Sequence, residues 1–152
     1  GAQRAAMLTH ANLASNIKQV LDDSGLAITP NDRSLGALPF FHGFGLNVVL
    51  GVTLVAGGTV VLIDPFTAAE ALHLIRRHSI TVVAGVPVMF DALTSAATEL
   101  GDDLGSVRLA VSGAATLSTK SSTAFTQRYG VTIHEGYGLT EASPIVTSTA
   151  SG

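Results

Sequence analysis

The sequence predicts an α/β fold, an open and mostly parallel sheet with helices on both faces. Short apolar runs rich in Val or Ile recur at 59–63, 80–84, 107–111 and 131–134, and each has the length of a strand covered on both faces. Between them lie segments of helical periodicity that carry helix start and stop signals. Strand–helix–strand repeats of this kind imply right-handed parallel crossovers, and such crossovers cover a sheet with helices.

In chain order, Thr9 precedes a helical segment, 10–23, with Leu13, Ile17, Val20 and Leu21 at helical spacing. Residues 34–38, "SLGAL", predict a further strand. From Ser34 to Ile63 there is no Asp, Glu, Lys or Arg, and Phe44–Ile63 reaches the length of about 20 apolar residues that can span a bilayer. The same window holds Gly45, Asn47, Gly51, Thr53, Gly57 and Gly58, and Gly57-Gly58 reads as a turn. A buried helix followed by the buried strand "TVVLI" is therefore expected in place of a membrane span. Thr67 and Glu70 have capping-box spacing at the start of helix 67–78, and Arg76, Arg77 and His78 bring positive charge to its end. Pro87 suits the first position of helix 87–98, in which Phe90, Leu93 and Ala97 share a face with the preceding Val86. Ser118 reads as the cap of helix 118–129, with Phe125 and Tyr129 on one face. "GDDLG" at 101–105 reads as a surface turn, and Asp22, Asp23, Asp102 and Asp103 as solvated acids.

The length of 152 residues is that of one domain, and 47% hydrophobic residues suffice for a core. Formal net charge is -3, and no basic cluster exceeds Arg76-Arg77. That argues against a nucleic-acid partner, which needs a basic stripe. The absence of cysteine removes disulfide and thiolate chemistry and fits a cytoplasmic protein; a membrane-peripheral location is the alternative expectation. No basic leader followed by an apolar run opens the sequence, so no signal peptide is expected.

A parallel sheet binds ligands beyond the carboxyl ends of its strands. The segments that follow the expected strands are "PFFHGFG", "DP", "GVP", "SGAA" and "EGYGLTE". Four of the five carry glycine, and the topology gathers them at one edge. In Gly136–Glu141, "GYGLTE", Gly136 and Gly138 permit close backbone approach, and Tyr137 offers a flat face for a base. Thr140 offers a hydroxyl to a phosphate, and Glu141 a carboxylate of the kind that holds Mg2+ beside phosphates. The same hexapeptide also reads as a loop with a capping Thr and a surface Glu. Gly113, Ala114 and Ala115 form a small-residue loop that suits the edge of a flat ligand, or an ordinary strand–helix connection. His42 and Phe44 can wall an apolar pocket, or pack as structural residues; a general-base role for His42 requires a proton within hydrogen-bond reach. "GVP" reads either as a pocket segment or as turn punctuation. His73 and His78 are five apart, not the spacing of a helical metal pair. Neither a nucleophile elbow nor a Walker-type glycine loop is present.

"MLTHANL" (7–13), "LPFFHGFG" (38–45), "SGAA" (112–115) and "EGYGLTEASP" (135–144) resemble, in order and spacing, the AMP-forming adenylating enzymes. That family includes acyl-CoA synthetases, nonribosomal adenylation domains and luciferases. The resemblance runs over essentially the whole chain, residues 1–152 being one α/β sublobe of the acyl-CoA synthetase N-terminal domain. It implies activation of a carboxylic acid with ATP and Mg2+ to an acyl adenylate, then transfer to CoA or a carrier-protein thiol. By the same resemblance Tyr137 stacks on adenine, with Gly113, Ala114, Ala115, Gly136 and Gly138 around the nucleotide. Thr140 then contacts the α-phosphate, Glu141 binds Mg2+, and His42, Phe44, Val86 and Gly136 border the acyl pocket. The family's phosphate loop usually ends Pro-Lys-Gly; here Gln3, Arg4 and Ala5 stand at those positions, and Arg4 keeps the cation. The family's ribose-binding aspartate and its lysine-bearing C-terminal domain are expected beyond residue 152. Two readings follow. One is a segment of an acyl-CoA synthetase of fatty-acid type, inactive by itself and prone to self-association; adenylation domains and aryl-acid ligases share its motifs. The other is a non-catalytic nucleotide-binding or scaffolding module of the same fold.

Overall fold

The computed structural model describes residues 5–22, 26–96 and 104–150. After helix α1 (His10–Asp22) the chain runs through β1 (Arg33–Gly36), a π-helix (Phe44–Val52) and the short α2 (Thr53–Val55). Next come β2 (Thr59–Leu62), α3 (Ala68–His78), β3 (Val82–Gly85), α4 (Pro87–Ser95), β4 (Leu109–Ser112) and α5 (Thr119–Tyr129). It closes with β5 (Ile133–Gly138), a 3₁₀ turn (Thr140–Ala142) and β6 (Ile145–Ser148). The sheet order is β2-β1-β3-β4-β5-β6. The first five strands are parallel, and β6 runs antiparallel to β5.

The strand alternation distributes the core over both faces, as the fold class requires. Leu35, Val83, Ala110 and Ile133 face α3, α4 and α5, where Leu72, Ile75, Phe90, Leu93 and Phe125 are all between 0 and 1% exposed. Val82, Leu109 and Val111 face the other way, toward Val20 of α1 and Val52 of the π-helix. The chain moves outward from β1 to β2, then returns past β1 to β3. Right-handed crossovers in opposite directions must lie on opposite faces, so the π-helix covers one face and α3 the other.

Local signals explain the helices. The Thr67 side chain accepts from the Glu70 N–H, Ser118 accepts from the Ser121 N–H, and Pro87 stands at the start of α4. The strand bounds differ from the sequence expectation for a physical reason. Ser79 is left-handed (φ 48°) and the Ile80 N–H donates to the Ile75 carbonyl, so Ile80 is buried as the apolar close of a helix cap, not as strand. Val107 is buried in a turn whose N–H donates to the Leu104 carbonyl, and β4 starts two residues later. Helix α4 ends at Ser95, short of the expected 98, and Ala97, Asp23, Asp102 and Asp103 lie outside the described residues. No helix among the described residues is long and apolar enough to cross a membrane.

The amino edge of the sheet is tied at one point. Asp32, 3% exposed, immediately precedes β1. Arg108, just before β4, donates to its two carboxylate oxygens at 2.8 and 2.6 Å. Thr81, just before β3, donates at 2.6 Å, and Thr29 donates through its N–H and hydroxyl at 2.8 and 3.0 Å. Burial alone pushes the Asp32 carboxyl up, but the Arg108, Thr81 and Thr29 hydrogen bonds outweigh it and hold the group well below the usual carboxylate range. A carboxylate with a depressed folded pKa stabilises the fold fully above its unfolded value of about 3.9. That contribution fades as pH falls below this value toward the folded one. Asp32→Asn is expected to cost about 2–3 kcal/mol in urea titrations at pH 7 and to flatten the loss of stability below about pH 4.

Candidate active site

Equal strand ends bring the loops together. Gly85 of β3 pairs with Ser112 of β4, and the Gly113 N–H donates to the Gly85 carbonyl at 3.1 Å. The crossovers reverse direction between β1 and β3, the place where open α/β sheets form a crevice. A cavity of about 620 Å³ lies there. Its outer lining includes His42, Phe44, Val86, Gly113, Ala114, Gly136, Tyr137, Gly138 and Thr140. It then runs beneath the π-helix along the sheet face to Val82 and Leu109, the first residues of their strands, and to Leu26 and Ile28. Among the described residues the lining contains no Asp, Glu, Lys or Arg.

"GYG" departs from expectation: it lies on β5 itself, not in a loop beyond the strand. Glu135 still pairs in parallel with Ser112, whereas Gly136, Tyr137 and Gly138 pair antiparallel with Ser148, Thr147 and Ile145. The returning β6 supplies ladder partners, so the glycine-rich stretch stays extended. Its β-branched residues, Ile145, Val146 and Thr147, are the signal that sequence reasoning missed. The hairpin is irregular between Tyr137 and Gly138, and the Leu139 N–H donates to the Pro144 carbonyl at 2.9 Å.

A second cavity of about 530 Å³ adjoins the first. Ala114, Ala115 and Thr116 line one side, Glu135 to Gly138 another, and Thr147, Ser148 and Thr149 a third. Tyr137 is 63% exposed and borders both cavities, as do Ala114, Gly136 and Gly138. Ala114 has φ 66°, in the left-handed region that a Cβ disfavours. Backbone conformations of this kind gather at ligand sites. Phe44 closes on Gly113 so tightly that a methyl group there would stand 3.0 Å from the ring and 3.3 Å from the Gly136 carbonyl oxygen.

The structure therefore brings together His42, Phe44, Val86, Gly113, Ala114, Ala115, Gly136, Tyr137, Gly138 and Thr140. Glu141 is exposed on the 3₁₀ turn, next to Thr140, and lines neither cavity. Arg4 lies outside the described residues. Of the five expected segments, Asp64-Pro65 lines neither cavity. Sequence reasoning missed Thr116 and Thr147 to Thr149, as well as the deep apolar end of the larger cavity. No local pattern marks that end, because it is a gap between two elements.

Residues 1–152 match the family described as AMP-binding enzyme. The chain is 37% identical to 4-coumarate–CoA ligase 3 of Arabidopsis thaliana over 97% of this chain and 27% of that protein. It is 32% identical to a long-chain-fatty-acid–CoA ligase of Bacillus subtilis, over 95% of this chain and 26% of that protein. Its backbone matches that of apo MatB from Rhodopseudomonas palustris with a TM-score of 0.87 at 34% identity, covering 98% of this chain and 29% of that one. The chain thus spans under a third of the length of each of these three relatives.

The β5–β6 hairpin depends on a bare backbone at Gly138, where a Cβ would stand 2.2 Å from the Pro144 carbonyl oxygen. Gly138→Ala is expected to destabilise by about 1–3 kcal/mol in urea titrations. At Gly130 a Cβ meets nothing within 4 Å although φ is 71°. Gly130→Ala is expected to cost only the left-handed penalty, roughly 1–2 kcal/mol, and to leave hydrogen exchange in 136–148 unchanged.

Proposed function

The chain belongs to the AMP-binding enzyme family, and from that premise we propose that it is the segment of a carboxylic acid–CoA ligase that joins the acid site to the nucleotide site. The observation that supports this reading is the pair of adjoining cavities with Gly136–Gly138 between them. The larger, neutral and mostly apolar, suits the tail of a carboxylic acid; the smaller, edged by Tyr137 and small residues, suits a nucleotide.

In the proposed reaction a carboxylate oxygen of the acid attacks the α-phosphorus of ATP. The bond to the bridging oxygen breaks and pyrophosphate leaves. A thiol such as that of CoA then attacks the acyl carbonyl; AMP departs and the thiol proton is released. Tyr137 stacks on the base, while the Gly113–Ala115 backbone holds its edge. Thr140 donates to an α-phosphate oxygen, and His42, Phe44, Val86 and Gly136 border the acid. Arg4 offers its charge to the phosphates.

Among the described residues no three His, Cys, Asp or Glu side chains form a metal-binding group. Mg2+ in nucleotide sites commonly takes one or two carboxylates with the remaining ligands from phosphates and water. The exposed Glu141, one residue from Thr140, fits that sparse demand and would hold the ion. When bound, the ion would neutralise phosphate charge.

The proposed acid has an uncharged tail, because among the described residues the larger cavity presents no Asp, Glu, Lys or Arg to pair with a second carboxylate or an amine. A fatty acid is the reading we favour over an aromatic acid, because the cavity continues beyond its mouth to Leu26, Val82 and Leu109. CoA is proposed as acceptor over a carrier protein on the strength of the family likeness. The isolated segment is proposed to self-associate, since Leu54 and Val55 stand 55 and 64% exposed beside the π-helix.

Pyrophosphate release by the full-length protein with a panel of fatty and aromatic acids tests the reading, and absence of release with every acid would reject it. Glu141→Ala is expected to lower turnover on the order of 100-fold, and unchanged turnover would remove Glu141 from the metal site. Tyr137→Ala is expected to weaken ATP binding by about 1–3 kcal/mol in calorimetry. The 152-residue chain alone is expected to release no pyrophosphate, and its sedimentation to rise with concentration.

A further inference from the structure

Two asparagines are buried where the surroundings are otherwise apolar: Asn16 of α1, 5% exposed, and Asn47 of the π-helix, 3% exposed. A buried amide is costly unless its donors and acceptors are met. Here they are. The Asn47 Nδ2 donates to the Ser143 carbonyl at 2.8 Å, and its other acceptors are the Leu13 carbonyl at 3.3 Å and Asn16 Oδ1 at 3.4 Å. Asn16 Nδ2 donates to the Ile145 carbonyl at 2.9 Å, and Asn16 Oδ1 accepts from the Ile145 N–H at 3.3 Å. Both amides therefore end on the segment just after Glu141.

That segment is tightly defined. Ser143 is itself buried and left-handed, φ 70°, and its N–H donates to the Thr140 carbonyl at 3.1 Å. Holding the Ser143 carbonyl thus fixes the turn that carries Thr140 and Glu141. On the other side of the contact, Phe44 and Val48 of the same π-helix line the larger cavity. A methyl group on Gly43 would stand 3.3 Å from the Pro144 side chain, so the two segments also meet sterically.

We propose that Asn47, with Asn16 behind it, is a positioning residue that ties the helix walling the acid cavity to the turn bearing Thr140 and Glu141. It touches no reacting atom. A leucine of similar volume would fill the space but leave the turn without a directed bond. The inference rests on the ligase reading for its catalytic consequence, not for the tether itself.

The test uses the full-length protein with Asn47→Leu, the near-isosteric Asn47→Asp, which cannot donate to a carbonyl, and Asn47→Gln, which can. For the Leu and Asp variants, kcat for pyrophosphate release is expected to fall on the order of 10- to 100-fold. The Mg2+ concentration for half-maximal rate should rise, while KM for the acid stays within about twofold, and Gln should recover part of the loss. Amide exchange over 139–146 should quicken in the Leu variant. Where Asn47→Leu does not fold, Asn16→Ala carries the same expectations. A stable Leu variant with wild-type Mg2+ dependence would overturn the proposal. So would a loss that tracks thermal stability alone, with no change in Mg2+ dependence. Absence of pyrophosphate release by the wild type would sink the ligase reading instead; the tether then stands or falls on the exchange rates over 139–146.

Discussion

Everything at the site depends on the in-register parallel pairing around β3. Val83 pairs with Leu35 on one side and Ala110 on the other, and Gly85 pairs with Ser112. Strands locked at these positions must end at nearly the same level, so the segments after β1, β3 and β4 leave the sheet together. At the opposite edge Asp32, bonded to residues just ahead of β3 and β4, holds the starts of the same strands level. A one-residue slip would turn Val83 and Ala110 onto the π-helix face and strip the α3–α5 side of its core.

The two faces of the sheet are packed to different ends. On the α3–α5 side Phe90 and Phe125 meet edge to face with ring centroids 5.3 Å apart, and the large side chains there are closed off from solvent. On the π-helix side Val82, Leu109 and Val111 keep 5 to 7% exposure and border an open volume. Native interiors seldom leave space of that size. One face supplies stability and the other room. The π-helix matches this division, since such wide turns are rare and recur at functional sites.

Much of this was legible in the residues because the signals are local. Thr67, Pro87 and Ser118 mark helix starts through bonds or φ preferences within a turn of each residue. The parallel topology predicted that Tyr137, Ala114 and His42 gather around one crevice, and all three line it, although Tyr137 does so from a strand and not from a loop. The illegible parts are those set by distant partners. Ile80 and Val107 look like strand residues because they are buried, yet one closes a helix cap and the other a turn. The π-helix has no local signature that separates it from an α-helix of the same residues. Gly136–Gly138 reads as a loop until β6 returns to pair with it, and the role of Asn47 is set by residues 31 and 96 positions away.

The extended Gly-Tyr-Gly strand borders both cavities, and at Gly136 and Gly138 it presents bare main chain to each. On the proposed reading, two small molecules lodged on either side of this strand would experience each other at a local concentration far above anything bulk solution provides. Oriented reactants can gain effective molarities of about 10⁵–10⁸ M. The absence of two side chains would then be as much a part of the chemistry as any group that is present.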